Sequence, residues 1–216
     1  GVGGLLIQTL GFQALFAVAG VFLFASSLIL FMSKENHIKY QFSLRSIINR
    51  DHWKNSLFFV SRGTEIIAEA VIWPLFIFVI LGDYLSLGAL GSVLSLIVIA
   101  LSWIMGKKSD HDGKRKIIHR VVVFDALSWA ARAFVATPLQ IFLATIFGAI
   151  TIGVKIPAIE ALEYDKACGL DPAAYFVSRE VFISLGRILM LTFILLTASF
   201  SHGLLFQSIA SLMALV

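Results

Sequence analysis

The chain has 216 residues, of which 59% are hydrophobic and 14% charged, with a mean hydropathy of +0.93 and a formal net charge of +4. Soluble domains ordinarily carry roughly 45–50% apolar and about 25% charged residues, so an ordinary soluble domain is excluded and an integral membrane protein is expected. The basic residues concentrate in two loops between apolar runs, which favours a membrane face over nucleic acid, and the single cysteine, Cys168, permits no intrachain disulfide.

Residues 1–33 carry no charge and are too long for one crossing, so a break near Gly11 is expected, giving the tail of one helix and then a complete one. Residues 34–55 form a linker holding Lys34, Lys39, Arg45, Arg50 and Lys54. In it Phe42, Leu44, Ile47, Ile48 and Trp53 alternate with basic residues, as in a short helix lying at the membrane interface; a plain solvated linker is the other reading. Six further helices are predicted at 56–81, 85–105, 117–135, 138–156, 180–199 and 203–216, the last cut short. Residues 85–105 and 133–154 contain no ionisable group, and each stretch reaches the roughly 20 residues a helix needs to cross a bilayer. Uninterrupted apolar runs of that length are helical, because barrel strands alternate and a helix satisfies its own backbone groups.

Lys107, Lys108, Lys114, Arg115, Lys116 and Arg120 mark a second basic connection, whereas the connections at 82–84, 136–137 and 201–202 contain no Lys or Arg. The positive-inside rule then places the two basic connections on the cytoplasmic face, together with residues 157–178.

The ionisable residues within predicted helices are the candidate site. Arg62, Glu65 and Glu69 stand at offsets of three and seven, within one stripe of a helix at about 100° per residue. Such groups cost roughly 2.5–3.5 kcal/mol each at membrane depth and normally face a bundle interior or a water-filled cavity. Arg62 and Glu65 are spaced to pair, which leaves Glu69 as the candidate protonatable coupling group, or else as a packing partner for a cation on another helix. Asp125, Trp129 and Arg132 form a second stripe, with Ser128 beside it. Trp129 is either a stacking surface for an apolar or sugar-like ligand or a core residue; Arg132 either recognises an anion or snorkels to the outer interface. Lys155, Glu160, Glu163, Asp165 and Lys166, then Arg179, Glu180 and Arg187, cluster at the next cytoplasmic connection as interfacial ion pairs. Arg187, two turns into its helix and seven residues from Glu180, is a candidate for a conformational or substrate role.

The basic connection reads Gly106-Lys-Lys-Ser-Asp110-His-Asp-Gly113-Lys114-Arg115-Lys116. Its spacing of Gly106, Asp110, Gly113, Lys114 and Arg115 resembles the G-x-x-x-D-x-x-G-[RK]-[RK] signature of the major facilitator superfamily, with His111 where that family usually has a basic residue. Gly106 is expected to permit close helix approach, Gly113 a tight turn, and Asp110 a bond to a neighbouring helix N-terminus. The resemblance implies that Asp110 and Arg115 are gating residues that stabilise an outward-facing state, and that the basic loop is more than a solvated one.

It further implies an all-α fold: the carboxy-terminal six-helix bundle of a twelve-helix protein. In that layout residues 1–33 end the amino-terminal bundle, 34–55 link the halves and 56–216 form the carboxy-terminal bundle, with the amino-terminal half lying upstream. The implied function is secondary active transport of a small solute by alternating access, with a proton or other coupling ion, in the cytoplasmic membrane of a prokaryote. Partners are then the bilayer, the solute and the missing half, without nucleic acid. No P-loop, dinucleotide fingerprint, G-x-S-x-G or H-E-x-x-H pattern occurs, so neither enzyme chemistry, a cofactor nor a metal is expected. The alternative is a polytopic scaffold, sensor or lipid-modifying enzyme that uses Glu65, Glu69 and Asp125 only for packing.

Overall fold

The structure, a computed structural model, describes residues 2–32, 53–109, 114–169 and 172–215, and among them every element is helical. Helix α1 covers Val2–Phe31 and is kinked at Gly11, whose φ of +79° and ψ of 176° lie outside helical space and are open to a residue without Cβ. The break expected near Gly11 is therefore present. The proposed interfacial helix, Asp110 and Gly113 lie outside the described residues.

Helix α2 runs over Trp53–Leu81, 29 residues or about 43 Å. Pro74 has no amide to return to the preceding turn, and just before it residues Ala68–Ile72 widen into a π-helical turn, with the Trp73 amide bonding the Ala68 carbonyl. This turn carries Glu69. α2 ends at Gly82 in the left-handed conformation (φ +67°), and Asp83 then caps the next helix by accepting from the amides of Leu85 (3.2 Å) and Ser86 (2.8 Å) and the Ser86 hydroxyl (2.7 Å).

Helix α3 is Tyr84–Ser109 and α4 is Lys114–Ala133. Helix α5 is Pro138–Cys168, opened by a Thr137–Gln140 capping box with Pro138 in the first turn. α5 overturns the expectation that 157–178 is a connection, because the helix continues through Pro157 to Cys168. The carbonyl of Gly153, which a proline four residues on cannot bond, instead accepts from Ser102 of α3 at 3.4 Å. Helix α6 is Pro172–Thr197, and α7 is Phe200–Ser211, continued by a 3₁₀ turn at Leu212–Leu215.

Five helices, α1, α2, α3, α5 and α6, are long and apolar enough to cross a membrane, compatible with an integral membrane protein. α4, predicted as a span at 117–135, is helical but carries Arg120, Asp125 and Arg132, and so does not qualify on apolarity. α2 packs on α6, α3 on α5, α5 on α4, and α4 on α7, while α1 leans mainly on α3. The α2–α6 crossing is backbone-close: a Cβ on Gly63 would overlap the Ile183 carbonyl, and one on Gly186 that of Val60. Ser61 donates to the Ala210 carbonyl of α7 (2.6 Å) and Ser208 of α7 to the Ala126 carbonyl of α4 (2.7 Å). The main core gathers Ile72, Trp73, Ile77, Trp129, Ile141, Met190 and Leu204.

Candidate functional site

Both predicted stripes point into the bundle and meet there. Glu65 lies 13 residues into α2, about 18 Å from the helix start, and meets Asp125, 12 residues into α4, and Lys155, 13 residues before the end of α5. Lys155 Nζ donates to Glu65 Oε1 (2.5 Å) and to Asp125 Oδ2 (2.8 Å), so one buried ammonium joins carboxylates from two other helices. Arg62 donates to the second oxygen of Glu65 (3.0 Å), the pairing its spacing predicts. Asp125 also accepts from Ser211 of α7 (2.9 Å) and Thr151 of α5 (3.4 Å), and Gln207 donates to Ser211 (3.2 Å). The Lys155 side chain is only 4% exposed.

A second pair lies about one turn further along α2. Arg132 Nη1 donates to Glu69 Oε2 (2.5 Å), with the Arg132 side chain 1% exposed and that of Glu69 24%. The guanidinium carbon sits 4.2 Å from the Trp129 ring centroid and 4.9 Å from that of Trp73, stacked as a weakly hydrated planar cation favours. Room for it comes from Gly148 of α5, where a Cβ would overlap Arg132 Nη2. Glu69 thus has a partner on another helix, Arg132 turns inward and does not snorkel, and one face of Trp129 is taken by Arg132.

A cavity and a smaller cleft lie beside the Arg62–Glu65–Lys155 end of the network, and neither is lined by Glu69 or Arg132. The cavity, of about 330 Å³ and at the end of the bundle bearing Lys54, is lined by His119, Glu163, Lys166 and Tyr175 among others. The cleft, of about 10 Å³, shares Phe58, Ile159 and Ala214 with it and reaches Arg62, Glu65 and Lys155.

The remaining expectations fall outside the network. Glu180 and Arg187 do pair (2.9 Å), but on an exposed face of α6. Glu163 pairs with Arg179 at 2.8 Å and Lys166 with Asn55 at 2.6 Å near the helix ends. Gly106 lies inside α3, and no described residue comes within 4 Å of an added Cβ, so among the described residues the close helix approach expected there is not found. Lys114 of the basic connection is tied to α5 through Asp165 (2.6 Å) and the Ala161 carbonyl (3.4 Å), and Arg115 lies in the first turn of α4. Cys168 is exposed. Among the described residues no cluster of His, Cys, Asp or Glu has the makings of a metal site.

Sequence reasoning missed Lys155 as a site residue. Ending the helix near Pro157 placed it in an interfacial cluster, although its position directly after a long uncharged run was the available signal. Thr151, Gln207 and Ser211 carried no signal of their own. Comparison of the chain with family models, curated proteins and solved structures finds no match.

Proposed function

We propose that this chain is the carboxy-terminal six-helix bundle of a major-facilitator-type secondary transporter, moving a small solute by alternating access with proton coupling, in the cytoplasmic membrane of a prokaryote. The observation that carries the reading is the buried network Arg62–Glu65–Lys155–Asp125 with its neighbour Glu69–Arg132. Buried ion pairs stabilise no more than well-packed apolar residues of similar volume, and ionisable groups inside apolar helices characteristically mark solute or ion routes. A cavity of about 330 Å³ at the end of the bundle bearing Lys54 lies beside a small cleft lined by Arg62, Glu65 and Lys155, and Phe58, Ile159 and Ala214 line both. The π-helical turn at Glu69 adds support, since such bulges concentrate at functional sites.

Lys155 of α5 ties Glu65 of α2 to Asp125 of α4, while Glu69, held by Arg132 about one turn further along α2, is the proposed site of the coupling proton. Tethering of Lys114 to α5 is in keeping with a gating role for the basic connection that carries Asp110 and Arg115.

The alternative, a packing-only network in a scaffold, sensor or lipid-modifying enzyme, is favoured by one observation: all six of these charges have partners. Reconstitution of the full-length protein with a pH-sensitive dye inside the vesicles separates the two. Applied gradients of sugars, organic acids and organic cations are expected to move protons with one solute class, and Glu69→Gln to abolish that movement while leaving expression intact. Proton movement unchanged by Glu69→Gln removes Glu69 from coupling; no movement with any class favours the packing reading.

A further inference from the structure

Resting on that transport reading, we infer that the solute is a small carboxylate monoanion, which takes the place of the Glu69 carboxylate on Arg132 as Glu69 accepts the coupling proton. The buried set holds three cations (Arg62, Lys155, Arg132) and three carboxylates (Glu65, Asp125, Glu69), and is neutral as it stands. A proton on Glu69 alone leaves the Arg132 cation uncompensated in an apolar interior, which is strongly unfavourable. An anion alone puts two carboxylates on one guanidinium. Proton and monoanion together restore neutrality, so each raises the affinity for the other by the same factor.

Glu69 is the group able to make this exchange. Glu65 is held by both Arg62 and Lys155, and Asp125 by Lys155, Ser211 and Thr151. Among the described residues Glu69 bonds Arg132 alone, and it is the more exposed member of the pair. The charged groups that share its network are Arg132 and Asp125 of α4, Lys155 of α5, and Arg62 and Glu65 of its own helix, while α7 contributes the polar Gln207 and Ser211.

The donors left over select the ligand. Glu69 uses one oxygen on Nη1, while Arg132 Nε is buried without an acceptor, as is the Nε1–H of the adjoining Trp73. A guanidinium presents a fork that two carboxylate oxygens fill side by side, and an anion so seated engages Nε and Nη1 together. The two tryptophan rings hold the guanidinium in place, so the anion comes to the arginine. In the exchange no covalent bond is made except O–H on Glu69, and the N–H···O bond from Arg132 passes from Glu69 to the ligand.

Two measurements on the full-length protein test this. Glu69→Gln, solubilised in detergent, lacks the native carboxylate, and sodium formate is expected to raise its thermal midpoint by about 3 °C over sodium chloride of equal strength, with little effect on the wild type. In proteoliposomes with the membrane potential clamped by potassium and valinomycin, labelled L-lactate is expected to enter with one proton each at a rate independent of the potential, above protein-free vesicles. Glucose and tetraethylammonium are expected to stay out. Glu69→Gln is expected to retain lactate exchange and lose its acceleration by a pH gradient, and Arg132→Lys to reduce lactate movement at least about tenfold, as loss of a bidentate charged contact does. Proton-coupled movement of glucose or tetraethylammonium without formate rescue overturns the anion assignment and leaves transport standing. Formate rescue with no proton movement by any probe overturns the transport reading and leaves the anion site.

Discussion

Lys155 shows how much one buried cation controls. Among the described residues it alone bonds both Glu65 and Asp125, which come from different helices, and without it the described partners of Asp125 are hydroxyls. Lys155→Met is expected to cost about 3–5 kcal/mol, because a carboxylate stays buried without its counter-charge. Lys155→Met combined with Asp125→Asn keeps the Arg62–Glu65 pair, removes the orphaned charge and is expected to recover most of that loss, with the proposed transport lost in both variants. Thermal midpoints in detergent read both; equal losses in the single and double variants would mean that the ammonium contributes packing and not charge. Arg132 depends on its neighbours just as closely, since Gly148 supplies the space and two tryptophans the faces that hold it.

At the scale of elements, helix ends and proline positions set what each helix can present. Pro74 and the π-helical turn before it determine where Glu69 points, and Pro157 is accommodated because Ser102 bonds the carbonyl it leaves free. The turn from α2 into α3 carries a pH-dependent cap. Hydrogen bonds from the Ser86 hydroxyl, then from the Ser86 and Leu85 amides, hold the Asp83 carboxyl below its ordinary value. A carboxyl depressed on folding stabilises the folded state above its unfolded pKa, and this contribution disappears as pH falls through the folded value. Asp83→Ala is therefore expected to lower the thermal midpoint at pH 7 and to converge on the wild type in acid below the usual carboxylate range. A difference that persists undiminished there would assign the effect to something other than the ionised cap.

At the scale of the whole molecule, the packing pairs α2 with α6, α3 with α5, and α4 with both α5 and α7, so that one ionic network draws on α2, α4, α5 and α7 together. The proposed alternating access requires this arrangement to open from opposite faces in turn. With the exposed native thiol removed by Cys168→Ser, Leu162→Cys in the 330 Å³ cavity is expected to react with a membrane-impermeant reagent from the face bearing Lys54. Its labelling rate is expected to fall several-fold when pH and solute drive the opposite state. Labelling constant under every condition would count against alternating access.

Composition and run length by themselves determined that the chain is helical and suited to a membrane, because apolar stretches of more than 20 residues satisfy their backbone groups in lipid only as helices. Periodicity also identified the two inward stripes, Arg62–Glu65–Glu69 and Asp125–Trp129–Arg132, and the length of the uncharged run over residues 1–33 pointed to the break at Gly11. Partners were another matter. Pairing Glu69 with Arg132 and inserting Lys155 between Glu65 and Asp125 join residues 63, 90 and 30 positions apart, and no local spacing encodes such contacts. Only the tertiary structure decided them, since the helices' packing brings the cations and carboxylates to a common depth, where burial makes an unpaired charge too costly to leave alone.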